Sequence, residues 1–215
     1  TRALLLARVV FGESDLVVTL LSWADGKVSA LAKGARKSQK RFGGALEPFQ
    51  TLSVALEERR GDLWSLQRAE VQRPRVRLLG RLEAVTAAGE ALRWTRHLLP
   101  ARQPDNDVFA RLEACLDALD HGADGAEAAL RITLARYGFE LLAASGYGLS
   151  LEVCVRCGGV VCQACGGGPR LLPGAERAAA AAWMSGQEAP LPALQPAALV
   201  AVVEEAMAAH ADLGQ

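Results

Sequence analysis

The spacing of the hydrophobic residues changes once along the chain, near Pro74. Before that point the apolar residues occur in short runs separated by polar turns, a pattern that is typical of β-strands. After it, Ala and Leu recur at the three- and four-residue spacing of amphipathic helices. This change predicts an α+β protein in which a β-domain precedes a mostly helical domain.

Five apolar runs in the first part predict five strands. Residues 25–26 (DG) and 59–62 (RRGD) have the composition of hairpin turns, where glycine tolerates a positive φ. Five short strands in so compact a segment are typical of an OB-fold barrel, although an SH3-like barrel or a simple meander would fit almost as well. The predicted strands are residues 3–10, 16–22, 27–33, 49–57 and 63–71.

The second part predicts five helices, of which the last two cover residues 175–185 and 196–211. The first, over 82–99, is expected to bury Leu82, Val85, Gly89, Leu92 and Leu99. The second begins after Pro104, with Asp105 or Asp107 as its N-cap, and should bury Val108, Leu112, Cys115, Leu116 and Leu119. The third covers about 125–145 and should bury Leu130, Leu134, Leu141 and Leu142. We expect the apolar surroundings of Leu92 and Leu99 to be core rather than a docking groove.

Charge also divides along the chain, although the 24 basic and 24 acidic residues cancel overall. Residues 1–81 carry 15 Lys and Arg against eight Asp and Glu, whereas the remainder carries nine against 16. A basic first part predicts a polyanionic partner, with nucleic acid as the first candidate. The alternative is that two surfaces simply differ in composition.

The densest positive charge lies in residues 33–41, here called the basic segment, where no apolar period is visible and a loop is expected. Lys and Arg neutralise phosphates, the neighbouring glycines let backbone amides approach, and Phe42 offers a face for a base. The alternative is a solvated loop that only keeps the protein soluble. Its cations are Lys33, Arg36, Lys37, Lys40 and Arg41; further candidates for the same patch are Arg8, Lys27, Arg68, Arg73, Arg75 and Arg77.

Four of the five cysteines form two CxxC pairs, Cys154 with Cys157 and Cys162 with Cys165. Four thiolates suit a tetrahedral, structural zinc ion, and the glycines around them permit tight turns. Reduced thiols, a redox pair and an iron–sulfur site stay open, although the spacing does not match bacterial ferredoxins. The segment between Cys157 and Cys162 is shorter than the hairpin of a zinc ribbon. The fifth, Cys115, is expected to be a small buried hydrophobe.

Motifs for catalysis are missing from the sequence: it contains no GxSxG, no GxxxxGK[ST] and no HExxH. His97, His121 and His210 are scattered. We therefore expect a protein that is not an enzyme and has no small-molecule substrate. No apolar run approaches the ~18 residues of a membrane span, and the first residues do not resemble an export signal. The expected location is the cytoplasm.

Several short motifs, taken in order, resemble the bacterial recombination mediator family RecO. They are residues 12–15 (GESD), 25–27 (DGK), 33–37 (KGARK), 44–49 (GALEPF) and 149–154 (LSLEVC), followed by the CxxC pairs. The resemblance covers most of the chain, and the combined string is specific where each fragment alone is weak.

The resemblance implies an OB-fold, a helical body and a four-cysteine zinc module. It also implies binding and annealing of DNA and, with RecR, the loading of RecA onto single strands coated by the single-stranded-DNA-binding protein. By position, the DNA contacts would be Lys33, Arg36, Lys37, Lys40 and Arg41, with Arg8 and Lys27 as further candidates. A site in the helical part for the acidic, apolar tail of the single-stranded-DNA-binding protein rests on the resemblance only.

We therefore predict an OB-fold, DNA-binding domain over residues 1–79, a helical domain over 80–149 and 171–215, and a zinc-ribbon-like insertion over 150–170. The protein would bind single- and double-stranded DNA at the nucleoid and act in repair and recombination. Two other functions stay open. One is an RNA-binding OB module, and the other is a non-catalytic structural adaptor.

Overall fold

The structure is a computed structural model that describes residues 1–151, 172, 174–189 and 194–211. The predicted order of strands followed by helices is confirmed in this part of the chain. The strands are β1 (Arg2–Phe11), β2 (Asp15–Ser22), β3 (Gly26–Ala32), β4 (Thr51–Glu57) and β5 (Leu63–Arg73). The helices are α1 (Gln39–Phe42), α2 (Leu82–Leu98), α3 (Asn106–His121), α4 (Glu127–Ala144), α5 (Gly174–Met184) and α6 (Pro196–Ala211).

The five strands form a closed barrel in the order β1-β2-β3-β5-β4, and β1 closes it by pairing with both β2 and β4. The β3–β5 pair is parallel and the other pairs are antiparallel. A closed five-stranded barrel followed by helices is consistent with the predicted OB-fold. Closure excludes the open meander.

The first half of β1 is buried on both faces, which explains its unbroken apolar run. Successive side chains of a strand point to opposite sides. Leu5 therefore lies inside the barrel, while Leu4 and Leu6 pack against the helices. This one strand contributes to both hydrophobic cores and joins the two parts of the protein.

The structure corrects the predicted inner face of α2. Leu82 is 77% exposed, whereas a stripe of alanines together with Leu92, Trp94 and Leu98 is buried. Small side chains let α2 approach α4 closely, and Gly138 at the centre of α4 serves the same contact. A Cβ on Gly138 would lie 2.9 Å from the Trp94 ring. Leu92 and Leu99 belong to the core, as expected.

The predictions for α3 and α4 are confirmed. The Asp105 carboxylate caps α3 by accepting a hydrogen bond from the Val108 amide at 3.0 Å. Cys115 is buried, and this burial raises the pKa of its thiol well above the ordinary value. The residues predicted to face inward are all buried, namely Val108, Leu112, Cys115, Leu116 and Leu119 in α3 and Leu130, Leu134, Leu141 and Leu142 in α4.

Four arginines, here called the junction arginines, connect the barrel to acidic residues on and just after α3. Arg75 is the central one, with a side chain only 1% exposed. Its Nε donates to Asp117 Oδ1 at 2.8 Å, and its Nη1 donates to the Phe49 carbonyl at 2.8 Å. The other pairs are Arg2 with Glu113, Arg73 with Asp117, and Arg77 with Asp124. The expectation that Arg75 extends the basic patch is therefore wrong, because its side chain is buried. Arg73 and Arg77 are exposed but paired with acids, and their part in the basic patch stays a prediction.

Cys154, Cys157, Cys162 and Cys165 fall outside the described residues, so the zinc module and the domain limits stay predictions. No helix in the described ranges is both long and apolar enough to cross a membrane.

Candidate nucleic-acid interface

The basic segment differs from most of the arginines in the described chain because its charges are not neutralised. Arginines of both the barrel and the helices form ion pairs with Asp or Glu. Within the described residues, the basic segment forms none. Lys33, Arg36, Lys37 and Lys40 are exposed and Arg41 is half-buried. A surface with five uncompensated cations attracts polyanions.

Backbone carbonyls, rather than carboxylates, hold the arginines of this segment. The Arg36 Nη1 donates to the Glu13 carbonyl at 3.1 Å, and Arg41 Nη2 donates to the Lys33 carbonyl. A carbonyl accepts a hydrogen bond but carries no net charge. The contacts therefore fix the geometry of the guanidinium groups and leave their positive charge available to a ligand.

The basic segment is attached to the turn between β1 and β2. The Arg36 amide donates to the Ser14 carbonyl at 3.0 Å, and the Gly34 amide donates to Asp15 Oδ1 at 2.7 Å. Gly34 has a φ of +68°, a conformation that favours glycine. These bonds hold the segment and the β1–β2 turn together as one surface.

Part of the predicted loop is the four-residue helix α1. Ser38 is its N-cap and accepts a hydrogen bond from the Arg41 amide at 3.4 Å. The sequence did not predict this short helix, because the surrounding cations leave no hydrophobic periodicity in the segment. The helix brings Lys40 to the exposed side while Phe42 points inward.

The structure also corrects the role expected of Phe42. Its ring is 2% exposed and belongs to the barrel core, so no base can reach its face. The exposed apolar surface lies instead at the end of β1, where Phe11 is 58% exposed. Val9 and Val10 beside it are also exposed, and we call these three residues the hairpin end.

The hairpin end is exposed because β1 extends beyond the part that pairs with β4. β4 pairs only with residues 2–4 of β1, so the far half of β1 pairs with β2 alone. A two-stranded ribbon has two open faces, and successive side chains are exposed on both. The sequence carried little signal for this, since the run reads like the buried start of the same strand.

A cleft of about 450 Å³ separates the hairpin end from the basic segment. Val10 lines one part of it, and Arg36, Ser38 and Gln39 line another. Arg8 also lines this cleft, but its Nη1 donates to Glu47 Oε1 at 2.8 Å. Arg8 is therefore already paired with an acid, and its predicted contact with DNA stays a prediction.

The structure does not bring Lys27 into this cluster. Lys33 follows Lys27 by six positions, which is about 20 Å at ~3.3 Å per strand residue. Lys27 lies at the junction with the helices, where its Nζ donates to the Arg96 carbonyl at 2.7 Å. Arg68, the remaining candidate, is exposed and forms an ion pair with Glu70.

Comparison with known proteins matches both parts of the chain. The family model described as "Recombination protein O N terminal" matches residues 1–75, and "Recombination protein O C terminal" matches residues 79–196. These two ranges meet where the barrel gives way to the helices.

Individual relatives agree with the family models. A DNA repair protein RecO of Anaeromyxobacter sp. (strain K) is 44% identical over 187 residues, covering 78% of this chain and 71% of the relative. The protein of the same description from Anaeromyxobacter dehalogenans (strain 2CP-C) is 41% identical over 225 aligned residues, covering 96% and 82%. That of Myxococcus xanthus (strain DK1622) is 36% identical over 180 residues, covering 76% and 71%. The chain therefore belongs to the RecO family, whose function is DNA repair and recombination.

Proposed function

We propose that this protein binds single- and double-stranded DNA on the basic segment and anneals complementary strands. The observation that carries the proposal is a set of five cations that have no carboxylate partner among the described residues and lie beside the exposed hairpin end. Family membership supports DNA as the polyanion.

The proposed mechanism is electrostatic. Cations on the segment hold one strand by its phosphates and reduce the repulsion that a complementary strand meets. The hairpin end offers the Phe11 ring to an unpaired base, because stacking on an aromatic side chain does not depend on sequence. No bond is broken, so the protein acts as a mediator and not as an enzyme.

Reversing two of the segment's charges tests the proposal. Lys37→Glu with Lys40→Glu should abolish annealing and leave the circular dichroism spectrum unchanged, because both side chains are exposed. The matched control is Arg93→Glu with Arg131→Glu, which makes the same change in net charge. Those arginines are exposed on the helices and paired with Glu90 and Glu127. Full annealing by the first variant, or equal loss in both, would contradict the proposal.

The salt dependence measures how many phosphates are contacted. If all five cations engage a single strand, log K should fall against log[salt] with a slope of about −3.5, roughly a hundredfold between 50 and 200 mM. Competition between DNA and RNA at equal salt tests the alternative of an RNA-binding module, which would prefer RNA. An affinity that does not change with salt would favour a structural adaptor.

We also propose that the protein, with RecR, helps to load RecA onto single strands coated by the single-stranded-DNA-binding protein, whose tail it would bind. This part is supported by membership of the family alone. A loading assay on coated DNA, with RecR present or omitted, tests it. Loading that is independent of this protein or of RecR would contradict it.

We further propose a structural zinc ion on Cys154, Cys157, Cys162 and Cys165, supported by the spacing of the CxxC pairs. Elsewhere, the described residues contain no group of His, Cys, Asp and Glu that would hold a metal. Metal analysis of the purified protein should find one zinc per chain that is lost with paired Cys→Ser changes. Iron, or no metal, would contradict the proposal.

A further inference from the structure

A second pair of cations without carboxylate partners lies at the junction of the barrel and the helices. Lys27 at the start of β3 and Arg96 near the end of α2 form no ion pair within the described residues. Arg93, one turn earlier in α2, is paired with Glu90. Arg96 is exposed, and its carbonyl accepts the hydrogen bond from the Lys27 Nζ at 2.7 Å.

These two side chains line a cleft of about 380 Å³ together with Thr19 and Ser29 of the barrel. Arg102 and Asp62 line it too. Arg102 lies 3.9 Å from Asp62 and 3.8 Å from Glu58, so its charge is offset. The net positive charge of the cleft therefore comes from Lys27 and Arg96.

The two cations destabilise one another in the free protein. Burial lowers the pKa of the Lys27 ammonium, and the charge of Arg96 lowers this pKa further. A phosphate between them would favour the charged form of Lys27 and would attract the Arg96 guanidinium, and the hydroxyls of Thr19 and Ser29 can donate to its oxygens.

The outer face of β3 connects this cleft to the basic segment. Lys27, Ser29 and Leu31 face outward while the alternate residues are buried in the barrel, and Lys33 continues the outward series. The distance from Lys27 to Lys33, about 20 Å, equals roughly six stacked nucleotides at ~3.4 Å each. That length is within the usual site size of an OB-fold.

We propose that Lys27 and Arg96 form a second phosphate-binding site, which holds the same single strand that the basic segment holds at the other end of β3. The inference rests on the proposed function and adds the path of the bound strand, which would run along β3. A stacked strand shorter than about six nucleotides would reach only one of the two sites.

Strand length makes the second site measurable. The probes are oligothymidylates of four and twelve nucleotides, with affinities compared between 50 and 200 mM salt. Arg96→Ala removes one contact from the longer strand, so the loss of affinity over this salt range should become about threefold smaller. Binding of the four-nucleotide probe should not change. The matched control, Arg93→Ala, should leave both probes unaffected.

The outcomes separate the two proposals. If Arg96→Ala and Lys27→Gln both leave the twelve-nucleotide probe unchanged, or weaken both probes equally, the second site is wrong while the basic segment stands. If Lys37→Glu with Lys40→Glu leaves both probes unchanged, the proposed function itself fails.

Discussion

The junction arginines and the basic segment contain the same kinds of side chain in the same barrel, yet they differ in what they contact. The junction arginines meet carboxylates of Glu113, Asp117 and Asp124. The arginines of the basic segment meet backbone carbonyls. A carboxylate neutralises a guanidinium, whereas a carbonyl only orients it. The charge of the acceptor, rather than the density of cations in the sequence, thus separates cations that join the barrel to the helices from the cations that we propose bind DNA.

Removing the acceptor of the buried arginine should have the largest effect on stability. Asp117→Ala leaves Arg75 buried without its carboxylate, which should cost about 3–5 kcal/mol of the free energy of unfolding. Urea denaturation measures this cost. Asp117 also pairs with Arg73, so this variant leaves two arginines without their carboxylate. The salt slope of DNA binding should still stay the same, because we expect the junction arginines to lie outside the DNA site. The control is Asp124→Ala, whose partner Arg77 is exposed, and it should leave the urea midpoint nearly unchanged.

A loss below about 1 kcal/mol for Asp117→Ala would show that the Arg75 pair contributes no more than a surface pair. A changed salt slope would place the junction arginines in the DNA site. Either result would remove the distinction between the two groups.

The hairpin end should contribute to affinity without contributing charge. Phe11→Ala should weaken single-strand binding by about 1–3 kcal/mol, the usual contribution of a stacked base, and leave the salt slope unchanged. Phe11→Trp adds a fifth tryptophan, so DNA should quench the fluorescence of this variant more than that of the unaltered protein when a base stacks on it. Val76→Ala is the control, since Val76 is exposed but lies outside the barrel strands. An unchanged affinity together with unquenched Trp fluorescence would leave binding to the cations alone.

Much of this arrangement was readable from the sequence, because strands, turns and helices follow from local patterns. The closed barrel, the Asp105 cap and the buried faces of α3 and α4 are examples. What the sequence could not show depends on distant contacts. Nothing near Arg75 in the sequence indicates that α3 brings Asp117 against it. Phe42 and Phe11 look equally available until the barrel encloses one ring and exposes the other.

A smaller effect on stability is expected when Glu113 is substituted. This residue pairs with Arg2, one of the junction arginines. Burial raises the pKa of this carboxyl, but hydrogen bonds from Arg2 and Thr51 and the charges of Arg2 and Arg75 outweigh it, so the net pKa is lowered. A lowered folded-state pKa stabilises the protein above the unfolded value, about 4.3, and this contribution is lost as the pH falls through the folded value.

Glu113→Gln should therefore cost about 1 kcal/mol of unfolding free energy at neutral pH. The difference from the unaltered protein should shrink as the pH falls below about 4. Urea denaturation over a pH series measures it. A difference that is constant with pH would mean that the Glu113 charge does not stabilise the junction.

The smallest expected effect on stability comes from substituting a cation that is exposed but paired with a carboxylate. Arg68 and Lys40 are both exposed cations of the barrel part, but only Arg68 is paired, with Glu70. A phosphate that approached Arg68 would also meet the Glu70 charge, so little is gained. Arg68→Ala should change the unfolding free energy by less than about 0.5 kcal/mol and leave the DNA salt slope unchanged. Lys40→Ala should reduce that slope by about 0.7. Equal reductions in the two variants would mean that exposure alone selects the cations that bind DNA, and pairing with a carboxylate would no longer separate them.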